Sequence, residues 1–448
     1  MHKIKIKNFG PIKNVELTAD KFIFLLGEQA SGKSTVAKLI YFCKTIPEEF
    51  IQLLFTSDDV KDWNEFKYKF YYLLNEKLES MFNFTDKYGE PYVHYIFSET
   101  NNVTIKPDLY SFYNVIFNDT FETKMKIIWD DVKVNLFSAQ RNINYGVNYD
   151  VLNDNININM KKMKIITIIR RIFNSDEHVV YIPAGRAFLS RQSLSQLIQA
   201  EEIKRLNPVN ERFNKYDIID APTRNYIHEV SHIREWYFNA RIKDDVLTSE
   251  NAGICDSIEK MKSFILKGRF VADRSGDFIQ IEDNKSIKIS DASSGQQEVV
   301  WLLNILYTYA VQNRKCLLLI EEPEAHLHPE AQYMLVKCIA AFCNETGSEV
   351  IITTHSPYIL TSFNNLIYAG KCGKSTELAN DINEVIKKES WIDPNKFSSY
   401  MLENGVINDI KNDELAMIDI AELHAVASKQ DTEYEQMLAI KKGKSRCI

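Results

Sequence analysis

Twelve residues near the start of the chain, Phe24-Leu25-Leu26-Gly27-Glu28-Gln29-Ala30-Ser31-Gly32-Lys33-Ser34-Thr35, place two glycines, a lysine and adjacent hydroxyls after an apolar run. The run from Phe22 to Leu26 reads as a buried strand, and Thr35-Val36-Ala37-Lys38-Leu39-Ile40 continues with helical apolar spacing. Between them, G-x-x-x-x-G-K-[ST] is the pattern of a phosphate-cradling loop. Its glycines let the backbone curl until N–H groups point at an anion, with a helix N-terminus behind them. In that chemistry Gly27, Gln29, Ala30, Ser31, Gly32, Lys33, Ser34 and Thr35 surround a polyphosphate. Lys33 reaches the β/γ-phosphates and the Ser34 hydroxyl ligates Mg²⁺. The bland alternative is a Gly-rich strand-to-helix turn, and two downstream segments weigh against it.

The first is Lys315-Cys316-Leu317-Leu318-Leu319-Ile320-Glu321-Glu322-Pro323-Glu324-Ala325-His326-Leu327-His328-Pro329. Five apolar residues predict a fully buried strand, and three carboxylates follow within four positions of its end. Clustered acids at the mouth of a core strand cost electrostatic energy unless a cation or a proton-transfer role compensates. With a phosphate loop in the same chain, Glu321 is expected to bind Mg²⁺ or its water shell, and Glu322 to orient and polarise the attacking water. A solvated acidic turn after a core strand is the competing reading.

The second is Asp291-Ala292-Ser293-Ser294-Gly295-Gln296-Gln297-Glu298, followed by the apolar Val299-Val300-Trp301-Leu302-Leu303-Asn304-Ile305-Leu306. A long helix starting at Ser-Ser-Gly has its N–H groups available to an anion, although such a start in isolation is a plain N-cap. A third apolar strand, Glu349-Val350-Ile351-Ile352-Thr353-Thr354, runs into His355-Ser356-Pro357. A lone histidine after a strand is more often structural than catalytic.

Taken in order, Ile4-Lys5-Ile6-Lys7-Asn8-Phe9-Gly10-Pro11-Ile12, the loop at Gly27, SSGQQ, EEPEAHLHP and TTHSPYIL resemble the ABC-type ATPases of the RecF/SMC/overcoming-lysogeny-defect group. The resemblance covers the start of the chain and about residues 280–370. It implies an α/β P-loop fold of ABC-ATPase head type, with an antiparallel β flank, helical insertions and a small α+β C-terminal extension. It implies ATP and Mg²⁺ as cofactors and ATP hydrolysis as the activity. Ser293, Ser294, Gly295 and Gln296 would then form the signature that closes over ATP held by a second copy, and His355 would be the switch histidine contacting the γ-phosphate. Relatives of this kind occur as ATPase subunits of bacterial antiphage systems of the Septu and PARIS type, which implies a separate effector nuclease. A RecF/SMC-like ATPase acting on DNA is the alternative.

The chain departs from that family's pattern in three places. Glu321 stands where Asp is commoner, which lengthens the reach to Mg²⁺. Ser294 stands where Gly is usual, which crowds the γ-phosphate approach. No obvious glutamine loop follows the first helix; Gln140, in Asn135-Leu136-Phe137-Ser138-Ala139-Gln140, is the best candidate for that further metal contact.

Composition bounds the rest. The 448 residues are long enough for two or three lobes, and 45% hydrophobic with 26% charged content is that of a soluble globular protein. No run approaches the ~18 apolar residues of a spanning helix, and Met1-His2-Lys3 opens a strand rather than a signal peptide, so no membrane partner and a cytoplasmic location are expected. The seven scattered cysteines contain no Cys-x-x-Cys and read as reduced core residues. The net charge of −7 carries no overall nucleic-acid footprint, but Lys161-Lys162-Met163-Lys164, Arg170-Arg171 and the arginines and lysines from Arg186 to Arg212 are locally basic. DNA contact there competes with a solvated helix face. Arg186, after the strand Val179–Ile182, is a weak candidate for phosphate contact or for signalling to a partner, and pairing with an acid is the commoner fate of such an arginine.

The expected organisation has four parts. Residues 1–189 form a first ATPase lobe carrying a long insertion at about 45–175. Residues 190–265 form a helical, short coiled-coil-like insertion, and 266–376 a second ATPase lobe. Residues 377–448 form the C-terminal extension. Within the insertion, helical spacing is read for 61–74, strands for 92–97 and 132–136, and a surface loop for Asn142 to Asn159 with its seven asparagines. The Gly370-Lys371-Cys372-Gly373-Lys374-Ser375-Thr376 stretch is rejected as a second phosphate loop because Tyr368 occupies the place of the first glycine, although Leu366 to Ala369 is read as a strand before it. Asn404-Gly405 predicts a tight hairpin between 398–402 and 405–410, and a helix is expected from about Asp419 to Ile440. The nuclease fold fused to some relatives is not expected here, so a partner would do any cutting. The chain is expected to work as a homodimer or a higher even-numbered homo-oligomer.

Overall fold

The computed structural model describes residues 2–57, 59–82, 90–107, 113–134, 151–191, 219–240, 252–282, 285–419, 432–434 and 436–438. In chain order the strands are β1 (Lys3–Phe9), β2 (Ile12–Thr18), β3 (Phe22–Gly27), β4 (Tyr92–Ser98), β5 (Asn101–Lys106), β6 (Asn114–Phe117), β7 (His178–Ile182), β8 (Arg269–Asp273), β9 (Gly276–Glu282), β10 (Lys285–Lys288), β11 (Cys316–Glu321), β12 (Glu349–Thr353), β13 (Phe397–Glu403) and β14 (Val406–Asp409). Eleven of them make one sheet in the order β6-β5-β4-β1-β2-β14-β13-β3-β12-β11-β7, while β8 to β10 form a small separate sheet. Strands β13, β3, β12, β11 and β7 run parallel. Strands β6, β5, β4, β1 and β2 are an antiparallel flank. The expected α/β class with an antiparallel flank is the one observed.

Both faces of the parallel part are covered, which is why its strands read as unbroken apolar runs rather than alternating ones. On one face lie α1 (Lys33–Thr56), α2 (Trp63–Met81), α3 (Asp119–Val132) and α4 (Val151–Ile172), packed on Ile23, Leu25, Leu317, Leu319 and Ile351. On the other lie α5 (Ala221–Ala240), α6 (Ala252–Leu266), α7 (Ser294–Val311), α8 (Pro329–Thr346) and α9 (Pro357–Cys372), packed on Phe22, Phe24, Leu26, Leu318, Ile320, Val350 and Ile352. Successive residues of one strand therefore serve two cores.

Several expectations change. Val132 to Val134 are not a strand: Phe121, Met125, Ile128, Trp129 and Val132 recur at helical spacing and bury one side of α3, whose coil continues into Lys133 and Val134. Residues 135 and 136 lie outside the described residues. The flank strands β5 and β6 were not anticipated, although Val103, Ile105, Val115 and Phe117 alternate inward as strand residues do. Residues 151–159 of the asparagine-rich stretch belong to α4, and 142–150 lie outside the described residues. Leu366 to Ala369 are helical, within α9, and Gly370 packs so tightly that a Cβ would come within 2.0 Å of the Ile392 carbonyl oxygen. The G-K-S-T stretch thus has no strand before it, which adds to the reason for rejecting it. Helices α5 and α6 are too short for a long arm, as their lengths of 20 and 15 residues show. Tyr226, Ile227, Val230, Ile233, Ile254 and Ile258 bury them in the core. Of the helix expected from Asp419 to Ile440, Asp419 is described and is not helical, and 432–434 and 436–438 are described and are helical.

The C-terminal extension contributes to the sheet itself. The hairpin turns at Asn404 (φ 50°) and Gly405 (φ 80°), as the Asn-Gly pair requires. Strand β13 pairs with β3 from Phe397↔Phe22 to Leu402↔Gly27, and the Gly405 carbonyl accepts from the N–H groups of Lys13 and Asn14. The hairpin stitches the antiparallel flank to the parallel core, beside the strand that leads into the glycine loop.

Candidate nucleotide-binding site

The carboxyl ends of β3, β12, β11 and β7 converge, and the loops leaving them carry most of the residues singled out from sequence. After β3 the backbone takes positive φ at Gly27 (142°), Ala30 (64°) and Gly32 (105°). Gly27 is required twice over, since a Cβ there would lie 2.3 Å from the Leu402 carbonyl oxygen in β13. Lys33, the first residue of α1, is buried, and its Nζ donates to the carbonyls of Gly27 and Glu28, each at 2.7 Å. Gln29, Ala30 and Ser34 are exposed, so the loop's outer surface and the Ser34 hydroxyl face solvent. Burial lowers the Lys33 pKa, and Glu322, Glu324 and Glu321 oppose that shift, so all three carboxylates act on this ammonium.

Glu321 ends β11 and is buried; one carboxylate oxygen accepts from the Ala184 N–H at 3.2 Å, and the other, Oε1, meets no hydrogen-bond geometry with any of the described residues. Glu322 follows with φ 42°, a left-handed conformation that a side chain other than glycine's disfavours. Its backbone is held there by its own N–H, which donates to the Thr353 carbonyl at 2.9 Å, and by its carbonyl, which accepts from Ala325 at 3.1 Å. The turn swings the Glu322 carboxylate to His355 Nε2 at 3.0 Å, while His355 Nδ1 meets the Gly27 carbonyl oxygen at 3.0 Å. His355 thereby joins the acid after β11 to the loop after β3.

Glu324, given no role in the sequence reading, holds that histidine. Its Oε1 accepts from the Thr354 hydroxyl (2.6 Å) and from the His355 and Ser356 N–H groups (3.0 and 3.2 Å). Ser356 caps α9 and donates its hydroxyl to Gln332 at 2.7 Å. The signal available in the sequence was the third acid of EEPE beside a Thr-His-Ser strand exit.

Ser293 is the N-cap of α7, in a capping box with Gln296, as the plain reading of Ser-Ser-Gly anticipated. Ser293 and Ser294 are nevertheless exposed. Gly295 is buried against the Glu324–His328 turn, where a Cβ would come within 2.6 Å of the His326 carbonyl oxygen. Arg186 is fully buried and so does not reach out to phosphate. Its Nε donates to the Glu298 carbonyl (2.9 Å), Nη1 to the carbonyls of Pro183 (3.0 Å) and Glu321 (2.7 Å), and Nη2 to that of Glu322 (3.2 Å). It also stands 3.6 Å from the Glu298 carboxylate, the acid pairing that the sequence made the commoner outcome.

Gln140 lies outside the described residues. The strand beside β11 is β7, and its exit, Pro183-Ala184-Gly185-Arg186, contains no glutamine. Among the described residues no group of three or more His, Cys, Asp or Glu side chains could by itself hold a metal ion. A divalent cation bridging phosphates and water needs only one or two protein oxygens, however, and the unpartnered Glu321 Oε1 together with the exposed Ser34 hydroxyl fits that demand.

Comparisons with solved structures find an SMC head bound to the C-winged helix domain of ScpA (11% identity, 91% of this chain and 96% of that one, TM-score 0.41) and an SMC head domain from Thermotoga maritima (11%, 91% and 97%, 0.35). A structure of the recombination mediator protein RecF is similar at 12% identity, over 91% of this chain and 97% of that one, with TM-score 0.35. No curated protein matches the chain. Among the described residues no helix is long and apolar enough to cross a membrane. The family model described as AAA ATPase domain matches residues 1–360, which span the phosphate-loop pattern, both strand-end acids and His355. By that match, the chain belongs to the AAA ATPase domain family.

Proposed function

We propose that this ATPase binds ATP·Mg²⁺ on Gly27–Thr35 and hydrolyses it in a composite site shared by two copies of the chain, in the manner of the ABC-type RecF/SMC group. The observation that carries the reading is the chain Glu322–His355–Gly27, with both contacts at 3.0 Å, placed over a buried lysine that three carboxylates face. Lys33 would exchange its two carbonyl contacts for the β/γ-phosphates. Ser34 and Glu321 would hold Mg²⁺, which supplies charge neutralisation of the phosphates. Glu322 orients the attacking water and accepts its proton, and His355, steered by Glu324, contacts the γ-phosphate. Ser293, Ser294, Gly295 and Gln296 would close the site from a second copy, as the exposure of Ser293 and Ser294 at a helix N-terminus permits. ATP then favours the paired state and hydrolysis releases it, because the γ-phosphate contacts differ between the two.

The biological reading is a regulatory subunit of an antiphage system, coupled to a separate nuclease; it rests on the resemblance to the group that the EEPE-x-HLHP motif marks, some of whose members serve such systems. A second reading, an ATPase acting on DNA, is favoured by α4, whose residues Lys161, Lys164, Arg170 and Arg171 are exposed. The test is the Glu322→Gln protein, expected to keep ATP binding, lose turnover by about 10²–10⁴-fold and run as an ATP-dependent dimer by size-exclusion chromatography with light scattering. A hydrolysis-competent Glu322→Gln protein refutes the assignment of the water-orienting acid. Regulation of a co-purifying nuclease by that trapped state supports the antiphage reading, whereas turnover stimulated by duplex DNA with no such nuclease supports the second.

A further inference from the structure

The buried guanidinium of Arg186 ties together three segments that the site uses separately. It lies at the exit of β7 and grips the main-chain carbonyls of Glu321 and Glu322 at the end of β11. In the same side chain, Nε grips the carbonyl of Glu298 in the first turns of α7, whose N-cap is Ser293. The lock is reciprocal, because the Glu298 carboxylate accepts from the Ala187 N–H at 3.2 Å, one residue beyond the arginine. The Ala184 N–H holds the Glu321 carboxylate from two residues before it. A fully buried cation spending its donors on backbone carbonyls is not explained by stability alone, since desolvating it is costly and the one carboxylate paired with it among the described residues stands off at 3.6 Å. What its planar fork does, and a lysine cannot, is to hold several carbonyls at fixed mutual positions.

We infer that Arg186 is a positioning residue that couples the acid at one nucleotide site to the signature serine serving the other. The carbonyl of Glu322 belongs to the residue with φ 42°, so Arg186 helps keep the conformation that aims this carboxylate at His355. The carbonyl of Glu298 fixes the start of α7, and with it Ser293 and Ser294, to the same guanidinium. A shift of the Glu322 backbone on γ-phosphate loss therefore moves the helix start that faces the partner copy. The inference rests on the composite-site reading above.

The experiment compares Arg186→Lys, Glu298→Gln, Ser293→Ala and the double variant Arg186→Lys/Ser293→Ala in the full chain, measuring ATP affinity, kcat, KM and thermal unfolding, with Glu322→Gln alongside. Arg186→Lys keeps the charge and is expected to bind ATP within about twofold of the parent while losing at least tenfold in kcat. Glu298→Gln, which keeps the carbonyl and the shape, should lose less. Coupling predicts that the double variant loses far less than the product of the two single losses. Full turnover in Arg186→Lys, or strictly multiplicative losses in a folded double variant, overturns the inference. A fall in affinity, kcat and melting temperature together, repeated in Glu298→Gln, also overturns it by marking the cluster as structural only. If Glu322→Gln itself turns over normally, the composite-site reading fails instead, and the two failures are distinct.

Discussion

Two clusters of buried charge sit at opposite ends of the same parallel strands, and they are finished differently. Before β7 and β12, Lys44 of α1 bonds Glu177 at 2.5 Å with both side chains at most 4% exposed. Beside them His2 reaches the Asn174 carbonyl oxygen at 2.7 Å and takes the Tyr95 hydroxyl at 3.1 Å. Burial alone would raise the Glu177 pKa, but the Lys44 ammonium and its hydrogen bond outweigh it and hold the carboxyl at about 2. At the other end, among the described residues, Glu321 Oε1 and Glu324 Oε2 are buried without hydrogen-bond partners and the Lys33 ammonium bonds carbonyls alone. Charges satisfied within the chain hold a fold together, while charges left short of partners are suited to a ligand that supplies them.

That contrast can be broken from either side. Lys33→Ala should abolish ATP binding or turnover while costing only about 1 kcal/mol of stability, because it deletes two hydrogen bonds to carbonyls that water can reach; nucleotide titration and denaturant unfolding check both halves. Lys44→Met should do the reverse. It strands Glu177 in the core and is expected to cost about 3–5 kcal/mol, with kcat per folded molecule unchanged. Loss of turnover without loss of stability in Lys44→Met would erase the distinction between the two ends.

The smallest effect sharpens the comparison through pH. His2 is lowered from 6.5 to about 4, first by burial and then by Lys44. Its folded pKa lies below its unfolded one, so its contribution is intact above about 6.5 and is lost as pH falls toward 4. Glu177 likewise loses its contribution only on acidification, between its ordinary value of 4.5 and about 2. Going from pH 7 to pH 5 should therefore cost about 2 kcal/mol through His2 and little through Glu177. In His2→Gln that loss should shrink by about the same amount in unfolding free energies measured at the two pH values. An unchanged pH dependence would mean that His2 is not the group titrating.

Much of the fold's parallel core was legible because apolar strand runs, glycine turns and helical spacing are local signals: β3 with α1, β11, β12 and the 404–405 hairpin all appear near where their residues predicted. The misreadings share a cause. Val132–Val134, from a short alternating stretch, and Leu366–Ala369, a short apolar run, fit strand and helix equally until the longer window around each is weighed. The third acid of EEPE was visible, but not what Glu324 holds, because its three bonds go to a strand exit 30 to 32 residues away. The role of Arg186 was illegible because its bonds go to carbonyls, which every residue possesses.

Sequence alone determined which chemistry is present: a glycine-lysine-serine loop, acids at a strand mouth and a histidine after a strand are specified by residue type and spacing. Tertiary structure decided which of these meet. The sheet order puts β12 between β3 and β11, so His355 bridges Glu322 and Gly27, and it lays a C-terminal strand beside β3, so that the Leu402 carbonyl oxygen leaves room for nothing larger than glycine at position 27. The reason is physical: residue types act within a few positions along the chain, whereas strand order is set by how the whole chain buries its apolar faces.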